Sequence, residues 1–161
     1  MAEEKTNVMR LLDQKKIHWQ RHSYPHGDTA PDGLAVAAMI GRDPACVYKT
    51  LVARGASKSC YVFVVPVGCE LDLKKAAAAV REKSVAMVHV NELLGLTGYI
   101  RGGCSPIGMK KRYPTVFAAQ VRDLESVIVS AGKIGLQVEL SPEELIGLTG
   151  ASVADIVGSK E

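Results

Sequence analysis

The chain has 161 residues, of which 47% are hydrophobic and 23% are charged, as in a globular domain with a buried core and unlike a disordered chain. No apolar run approaches the roughly 18 residues of a membrane span, and the charged start, residues 1–5, lacks the apolar segment of a secretory signal. We therefore expect a cytoplasmic protein that contacts no membrane, and the length and the lack of repeats favour one domain over residues 1–161. The net charge of +3 alone says little about partners.

Helix caps and apolar spacing predict alternating helices and strands. Thr6, Asp72 and Ser141 are candidate N-cap residues, and Gly41 is predicted to end a helix. In chain order we predict a helix over 6–16, a strand over 17–24, a loop over 25–33, a helix over 33–40, strands over 46–54 and 59–66, a helix over 72–80, a strand over 85–89, a helical turn capped by Asn91, strands over 115–119, 126–130 and 136–140, and a helix after Ser141. Paired strands beside helices favour a mixed or antiparallel sheet with packed helices over a Rossmann fold.

Lys49 is the first candidate functional residue. In the predicted strand it shares a face with Val47 and Leu51. An ammonium group there is costly to bury unless an anion or a polar cavity receives it. The alternative is a lysine at a sheet edge whose stem reaches water, and the spacing leaves both interpretations open.

A glycine-rich segment, Gly102 to Gly108, is the second candidate. Its glycines and its Ser-Pro pair can turn successive backbone N–H groups toward a ligand oxygen, as an oxyanion hole requires. The alternative is a structural turn. A similar segment at 130–135 is also typical of a hairpin turn.

Basic residues concentrate in one part of the chain. Between Glu92 and Asp123 there is no acidic residue, and five basic residues lie there: Arg101, Lys110, Lys111, Arg112 and Arg122. Such a segment would attract a polyanion. The alternative is a solvated basic face without a ligand.

Cysteine and histidine spacings give little indication of a metal. No pair among Cys46, Cys60, Cys69 and Cys104 has the spacing of a zinc site or a redox motif. His18, His22 and His26 share one face of an extended chain, which is a weak pattern for a metal site. We therefore expect neither a metal nor another cofactor.

Five segments in combination resemble the YbaK family, the free-standing Cys-tRNA(Pro) deacylases related to the editing domain of bacterial prolyl-tRNA synthetases. These segments are 47–51, 70–75, 97–99, 102–111 and 129–133. The resemblance implies an α/β domain with a mixed, barrel-like β-sheet and packed helices. It also implies a pocket for the aminoacylated 3′ end of a tRNA.

The resemblance implies roles for individual residues. Lys49 corresponds to a lysine that contacts the terminal nucleotide, and the backbone at Gly102 and Gly103 corresponds to the part of the loop that faces the ester. The substrate-binding residues are Tyr24, Cys104, Ser105, Pro106, Ser130, Gly132 and Lys133, and the tRNA-binding residues are Arg101, Lys110, Lys111 and Arg112. Relatives often have an acidic residue where this chain has Gln137, and Glu139 is nearby.

The implied activity is trans-editing of mischarged tRNA, in which the thiol of the substrate's own cysteine attacks the ester and releases a thiolactone. The enzyme is then a hydrolase or a lyase, according to the mechanism. Alternatives are an Ala-tRNA(Pro) deacylase of the same fold and a non-catalytic module that binds tRNA or a synthetase. The expected partner is an aminoacylated tRNA, and prolyl-tRNA synthetase is a second candidate.

Overall fold

The computed structural model of the protein describes residues 4–160. Its helices are α1 (Asn7–Gln14), α2 (Gly33–Ile40), α3 (Leu73–Ala79), α4 (Val90–Thr97) and α5 (Pro142–Thr149). Its strands are β1 (Trp19–Ser23), β2 (Tyr48–Gly55), β3 (Cys60–Pro66), β4 (Cys69–Leu71), β5 (Val85–Met87), β6 (Thr115–Ala118), β7 (Val127–Lys133), β8 (Leu136–Leu140), β9 (Ser152–Ala154) and β10 (Val157–Lys160). The expectation that the charged start is no secretory signal rests partly on residues 1–3, which lie outside the described residues.

The strands form three sheets. The largest has the order β5-β2-β3-β6-β9, and its β3, β6 and β9 are parallel, whereas β2 is antiparallel to both of its neighbours. A second sheet is antiparallel with the order β1-β8-β7, and β10 pairs with β4 in a third. A parallel bridge between Val47 and Ile128 joins the first sheet to the second.

Two apolar clusters lie on opposite sides of the strands at this bridge. The main core extends through the chain from Val8 to Val157 and includes Tyr48 and Val129. A smaller cluster lies under α2 and consists of Ala37, Val47, Val67 and Ile128, with Ile40 and Cys46 packed against it. Because side chains alternate along a strand, the face that carries the smaller cluster also carries Lys49.

The predicted helix ends are confirmed where the signal is local. Thr6, Asp72 and Ser141 each accept a backbone hydrogen bond at the start of a helix. Gly41 ends α2 with φ of 70°, a left-handed conformation that costs glycine little. None of the helices within residues 4–160 is both long and apolar enough to cross a membrane.

The prediction around Asn91 is wrong. Helix α4 begins after His89 and continues to Thr97, because the Glu92 carboxylate accepts a hydrogen bond from the His89 amide at 3.2 Å and so caps the first turn. The strands β4, β9 and β10 were not predicted. Each has three or four residues and pairs with a strand far away in the sequence.

Candidate active site

Strand register aligns polar residues across three strands. On β7 and β8, Ser130 pairs directly with Gln137. The parallel bridge pairs Val47 with Ile128. Because the strands run in the same direction there, Lys49 and Ser130, each two residues further along, lie side by side. Since directly paired residues point to the same face, we call Lys49, Ser130 and Gln137 the polar row. It lies on the face of the smaller cluster.

Lys49 is half-buried within this row. On its other side it pairs with Val65 of β3, which is fully buried. No carboxylate lies within ion-pair distance of its ammonium group among residues 4–160. A lysine held among apolar neighbours without a counter-ion attracts an anion, which favours the ligand interpretation over that of a lysine at a sheet edge.

The glycine-rich loop packs closely against the β7–β8 hairpin. A Cβ atom added at Gly103 would lie 3.1 Å from the Ile134 nitrogen and 3.2 Å from the Lys133 Cα, and one added at Gly102 would lie 2.2 Å from the Ala30 Cβ. Gly102 also has φ of 87°. Only glycine permits this approach, so the structure brings together the two glycine-containing segments that the sequence singled out.

The backbone donors of this loop are partly engaged. The Gly103 amide donates to the Ile100 carbonyl at 3.0 Å and closes a turn, and Ile107 donates to the Ser105 hydroxyl at 3.2 Å. In the described part of the chain, the amides of Gly102, Cys104 and Ser105 have no intramolecular acceptor. These three amides, rather than that of Gly103, are the donors that the loop can offer to a ligand oxygen.

The Cys104 side chain is buried, with 7% of its surface exposed. Burial raises the pKa of its thiol to about 12. A thiol with this pKa is protonated at neutral pH and is therefore a poor nucleophile.

Tyr24, which follows β1, lies beside the turn of the β7–β8 hairpin. Its amide donates to the Gly135 carbonyl at 3.0 Å, its side chain is buried, and its ring meets that of His26 edge to face at 6.5 Å between centroids. The predicted pocket tyrosine is thus fixed beside the hairpin that also contacts the glycine-rich loop.

Tyr99 connects these loops, although the sequence analysis gave it no role. Its hydroxyl donates to the Ile107 carbonyl, and a Cβ atom at Gly132 would lie 3.0 Å from its ring. Tyr99 belongs to the segment 97–99 that carries part of the family resemblance. Its ring holds the end of the glycine-rich loop against the end of β7.

A second cluster that the sequence analysis missed surrounds Glu139. Its Oε1 accepts from the Arg42 Nη1 at 2.6 Å and contacts the His22 Nε2 at 2.7 Å, and its Oε2 accepts from Ser126. Burial raises the pKa of Glu139, but the hydrogen bonds from Ser126, His22 and Arg42 outweigh it, so the pKa lies below the ordinary 4.5. The cluster ties the end of α2 to the second sheet.

We expect Glu139→Gln to lower the free energy of unfolding at pH 7 by about 2 kcal/mol, because it removes hydrogen bonds to charged groups. Since the folded-state pKa is lowered, the contribution is present above the ordinary pKa and is lost as the pH falls through the folded-state value. Denaturant unfolding from pH 7 to pH 3 should therefore show a narrowing gap between variant and wild type. The exposed Glu143→Gln is the control, and a gap independent of pH contradicts this assignment.

The predicted tRNA-binding residues are at the surface. The side chains of Arg101, Lys110, Lys111 and Arg112 are all exposed. Lys111 and Arg112 line a cavity of about 200 Å³ together with Pro106 and Leu11 of α1. Neither Lys49 nor any other member of the polar row lines this cavity. Pro106 therefore borders a cavity that is separate from the polar row.

Of the other predicted substrate-binding residues, one is buried and one is exposed at the surface. Ser130 is buried and accepts from the Gly132 amide at 3.1 Å. Lys133, in contrast, is exposed and pairs with Glu4 at 2.7 Å. In the described part of the chain, no three His, Cys, Asp or Glu side chains converge as a metal site requires; His22 contacts Glu139, and His26 contacts the Gly27 carbonyl.

The sequence and the fold place the chain in one class of protein, and the chain belongs to the family of aminoacyl-tRNA editing domains. The family's sequence profile matches residues 28–148. A relative from Enterococcus faecalis, "Putative Cys-tRNA(Pro)/Cys-tRNA(Cys) deacylase EbsC", is 42% identical over 155 residues, which are 96% of this chain and 94% of the relative. The resemblance predicted from the sequence is confirmed.

Solved structures share the fold. One, of "a putative trans-editing enzyme for prolyl tRNA synthetase", is 26% identical and has a TM-score of 0.82, with 98% of this chain and 100% of that chain covered. Another, of "hypothetical protein APE2540", is 24% identical and has a TM-score of 0.83 over 94% of this chain and 99% of that chain. The predicted mixed α/β class with packed helices is confirmed.

Proposed function

We propose that the protein is a trans-editing deacylase that clears Cys-tRNA(Pro) and so protects the fidelity of translation. The observation that carries this proposal is Lys49, a half-buried cation that has no counter-ion among residues 4–160 and lies on a face that also carries Ser130. The family and the name of the relative from Enterococcus faecalis support the same substrate class.

In the proposed reaction the protein supplies position and charge, and the substrate supplies the nucleophile. The substrate's thiol sulfur attacks the ester carbonyl carbon, the ester C–O bond breaks, and the thiol proton passes to the ribose oxygen that leaves. The products are a cysteine thiolactone and free tRNA. Lys49 would hold the terminal nucleotide, and the free amides of the glycine-rich loop would stabilise the oxyanion.

The arrangement of side chains supports a reaction without a protein nucleophile. The Cys104 thiol has a raised pKa, and Glu139, the carboxylate nearest the polar row on β8, is engaged by Arg42, His22 and Ser126. Since neither Cys104 nor Glu139 is available as an activated nucleophile, we assign the rate to positioning of the substrate's own thiol and to stabilisation of the oxyanion.

A deacylation panel tests the proposal directly. Purified protein is incubated with tRNA(Pro) charged with cysteine, alanine or proline, and ester loss is followed over time. We expect cysteine to be removed fastest. Preferred removal of alanine would support the Ala-tRNA(Pro) alternative, and binding of all three without hydrolysis would support the non-catalytic module.

We expect the affinity for tRNA to fall with salt and Lys110→Ala with Lys111→Ala to weaken it. Each phosphate contact contributes about one unit to the slope of log affinity against log salt, so the double variant should lose about two units. Filter binding between 50 and 300 mM salt measures the slope. A double replacement of Lys58 and Lys83, two exposed lysines outside the acid-free segment, is the control; an unchanged slope in the Lys110 and Lys111 variant contradicts the assignment.

We also propose that residues 1–161 form one deacylase domain in which the sheets curve into a barrel-like wall. The continuous core from Val8 to Val157 supports a single domain, and the bridge between Val47 and Ile128 supports continuity between the two larger sheets. A deacylase of aminoacyl-tRNA would act in the cytoplasm, with prolyl-tRNA synthetase as a candidate partner.

A further inference from the structure

One polar atom at the end of the polar row is buried without a partner. Gln137 is 7% exposed, and its Oε1 has no hydrogen-bond partner among the described residues. Native proteins satisfy nearly all buried polar atoms. An unsatisfied amide oxygen beside a proposed substrate pocket therefore indicates where a donor of the ligand belongs.

The position of Gln137 relative to Lys49 shows which part of the ligand would reach it. Two strand spacings, about 10 Å, separate the ends of the polar row. A substrate whose terminal nucleotide lies at Lys49 would direct its aminoacyl group along the row, past Ser130, toward Gln137. The partner of Oε1 would thus belong to the amino acid and not to the nucleotide.

The surrounding charges narrow the identity of this donor. Glu139 lies two residues further along the same face of β8, but Arg42, His22 and Ser126 already occupy its oxygens. In a cysteinyl ester the thiol must reach the ester carbonyl in the proposed reaction. The α-ammonium group is then the donor that remains, and hydrogen bonds from charged donors are the stronger ones.

We propose that Gln137 is a specificity-determining residue whose Oε1 accepts a hydrogen bond from the α-ammonium group of the substrate. This inference rests on the proposed deacylase function. It makes the protein selective for a free amino terminus, because an N-acylated aminoacyl-tRNA lacks the charged donor. A neutral amide performs this recognition without adding a second carboxylate beside Glu139.

The test compares Cys-tRNA(Pro) with N-acetyl-Cys-tRNA(Pro) as substrates of the full chain. We expect the wild type to prefer the free amine in kcat/KM by about 10- to 100-fold, the range for a hydrogen bond to a charged group. Gln137→Leu should lose this preference by slowing only the reaction of Cys-tRNA(Pro). Gln137→Glu should retain or increase it. The exposed Gln120→Leu is the matched control and should leave the ratio unchanged.

The outcomes separate the two proposals. If wild type and Gln137→Leu cleave both substrates with the same ratio, the role of Gln137 is wrong and the deacylase function stands. If the wild type cleaves neither substrate, the deacylase function is wrong, and the inference falls with it. Should Gln137→Leu fail to fold, Gln137→Asn withdraws the oxygen by one methylene, and an unchanged ratio there would equally overturn the inference.

Discussion

Lys49→Ala is expected to lower kcat/KM for Cys-tRNA(Pro) by about 100-fold or more, the effect of removing a group that holds or stabilises developing charge in a water-poor site. Its ammonium group has no counter-ion among residues 4–160, so its removal breaks no ion pair of the folded protein. We therefore expect a change in the free energy of unfolding below about 1 kcal/mol. Steady-state deacylation and denaturant unfolding measure the two quantities on the same preparation.

Lys83→Ala is the matched control, since Lys83 is an exposed lysine outside the pocket. It should leave both rate and stability unchanged. Full activity of a folded Lys49→Ala protein would show that Lys49 is a lysine at a sheet edge whose side chain extends to water. The proposed substrate site would then be wrong.

The second large effect concerns the origin of the reacting sulfur. We expect Cys104→Ser and Cys104→Ala to retain most of the activity on Cys-tRNA(Pro), because the buried thiol has a pKa of about 12 and is not a thiolate. Replacing the substrate with Ser-tRNA(Pro) should slow the reaction by a factor on the order of 100 or more. A few per cent of a free thiol is ionised at pH 7, whereas an alcohol is almost wholly protonated.

The comparison places the nucleophile on one molecule or the other. Single-turnover rates for both substrates are measured with wild type and both Cys104 variants, whose folding is checked by circular dichroism. Inactive Cys104 variants, together with equal rates on Ser-tRNA(Pro) and Cys-tRNA(Pro), would establish covalent catalysis by the protein and overturn the substrate-assisted mechanism.

Sequence reasoning succeeded where the determinants are local. The caps at Asp72 and Gly41 act within one helical turn, and both helix ends were predicted at the positions observed. The start of α4 was missed because the Glu92 side chain caps it from inside the helix. The short strands β4 and β10 were missed because they exist only as partners of each other.

The candidate site was predictable only residue by residue. Lys49 and the glycine-rich loop stand out through unusual composition, but the alignment of Lys49 with Ser130 depends on a bridge between residues about 80 positions apart. The Glu139 cluster had no sequence signal, since its members are distant in the chain and ordinary in type. Only the family resemblance drew attention to Gln137, and its unpaired oxygen is a property of the folded state.

The separation of the two apolar clusters has an evolutionary consequence. The small cluster of Ala37, Val47, Val67 and Ile128 is separate from the main core, whose Tyr48 and Val129 point to the opposite face of β2 and β7 from Lys49 and Ser130. Exchanges of volume among these four positions would change the packing beside the proposed site and leave most residues of the main core unchanged. The specificity for the aminoacyl group could thus change during evolution through a few substitutions that each add or remove about one methylene group, while the protein remains folded.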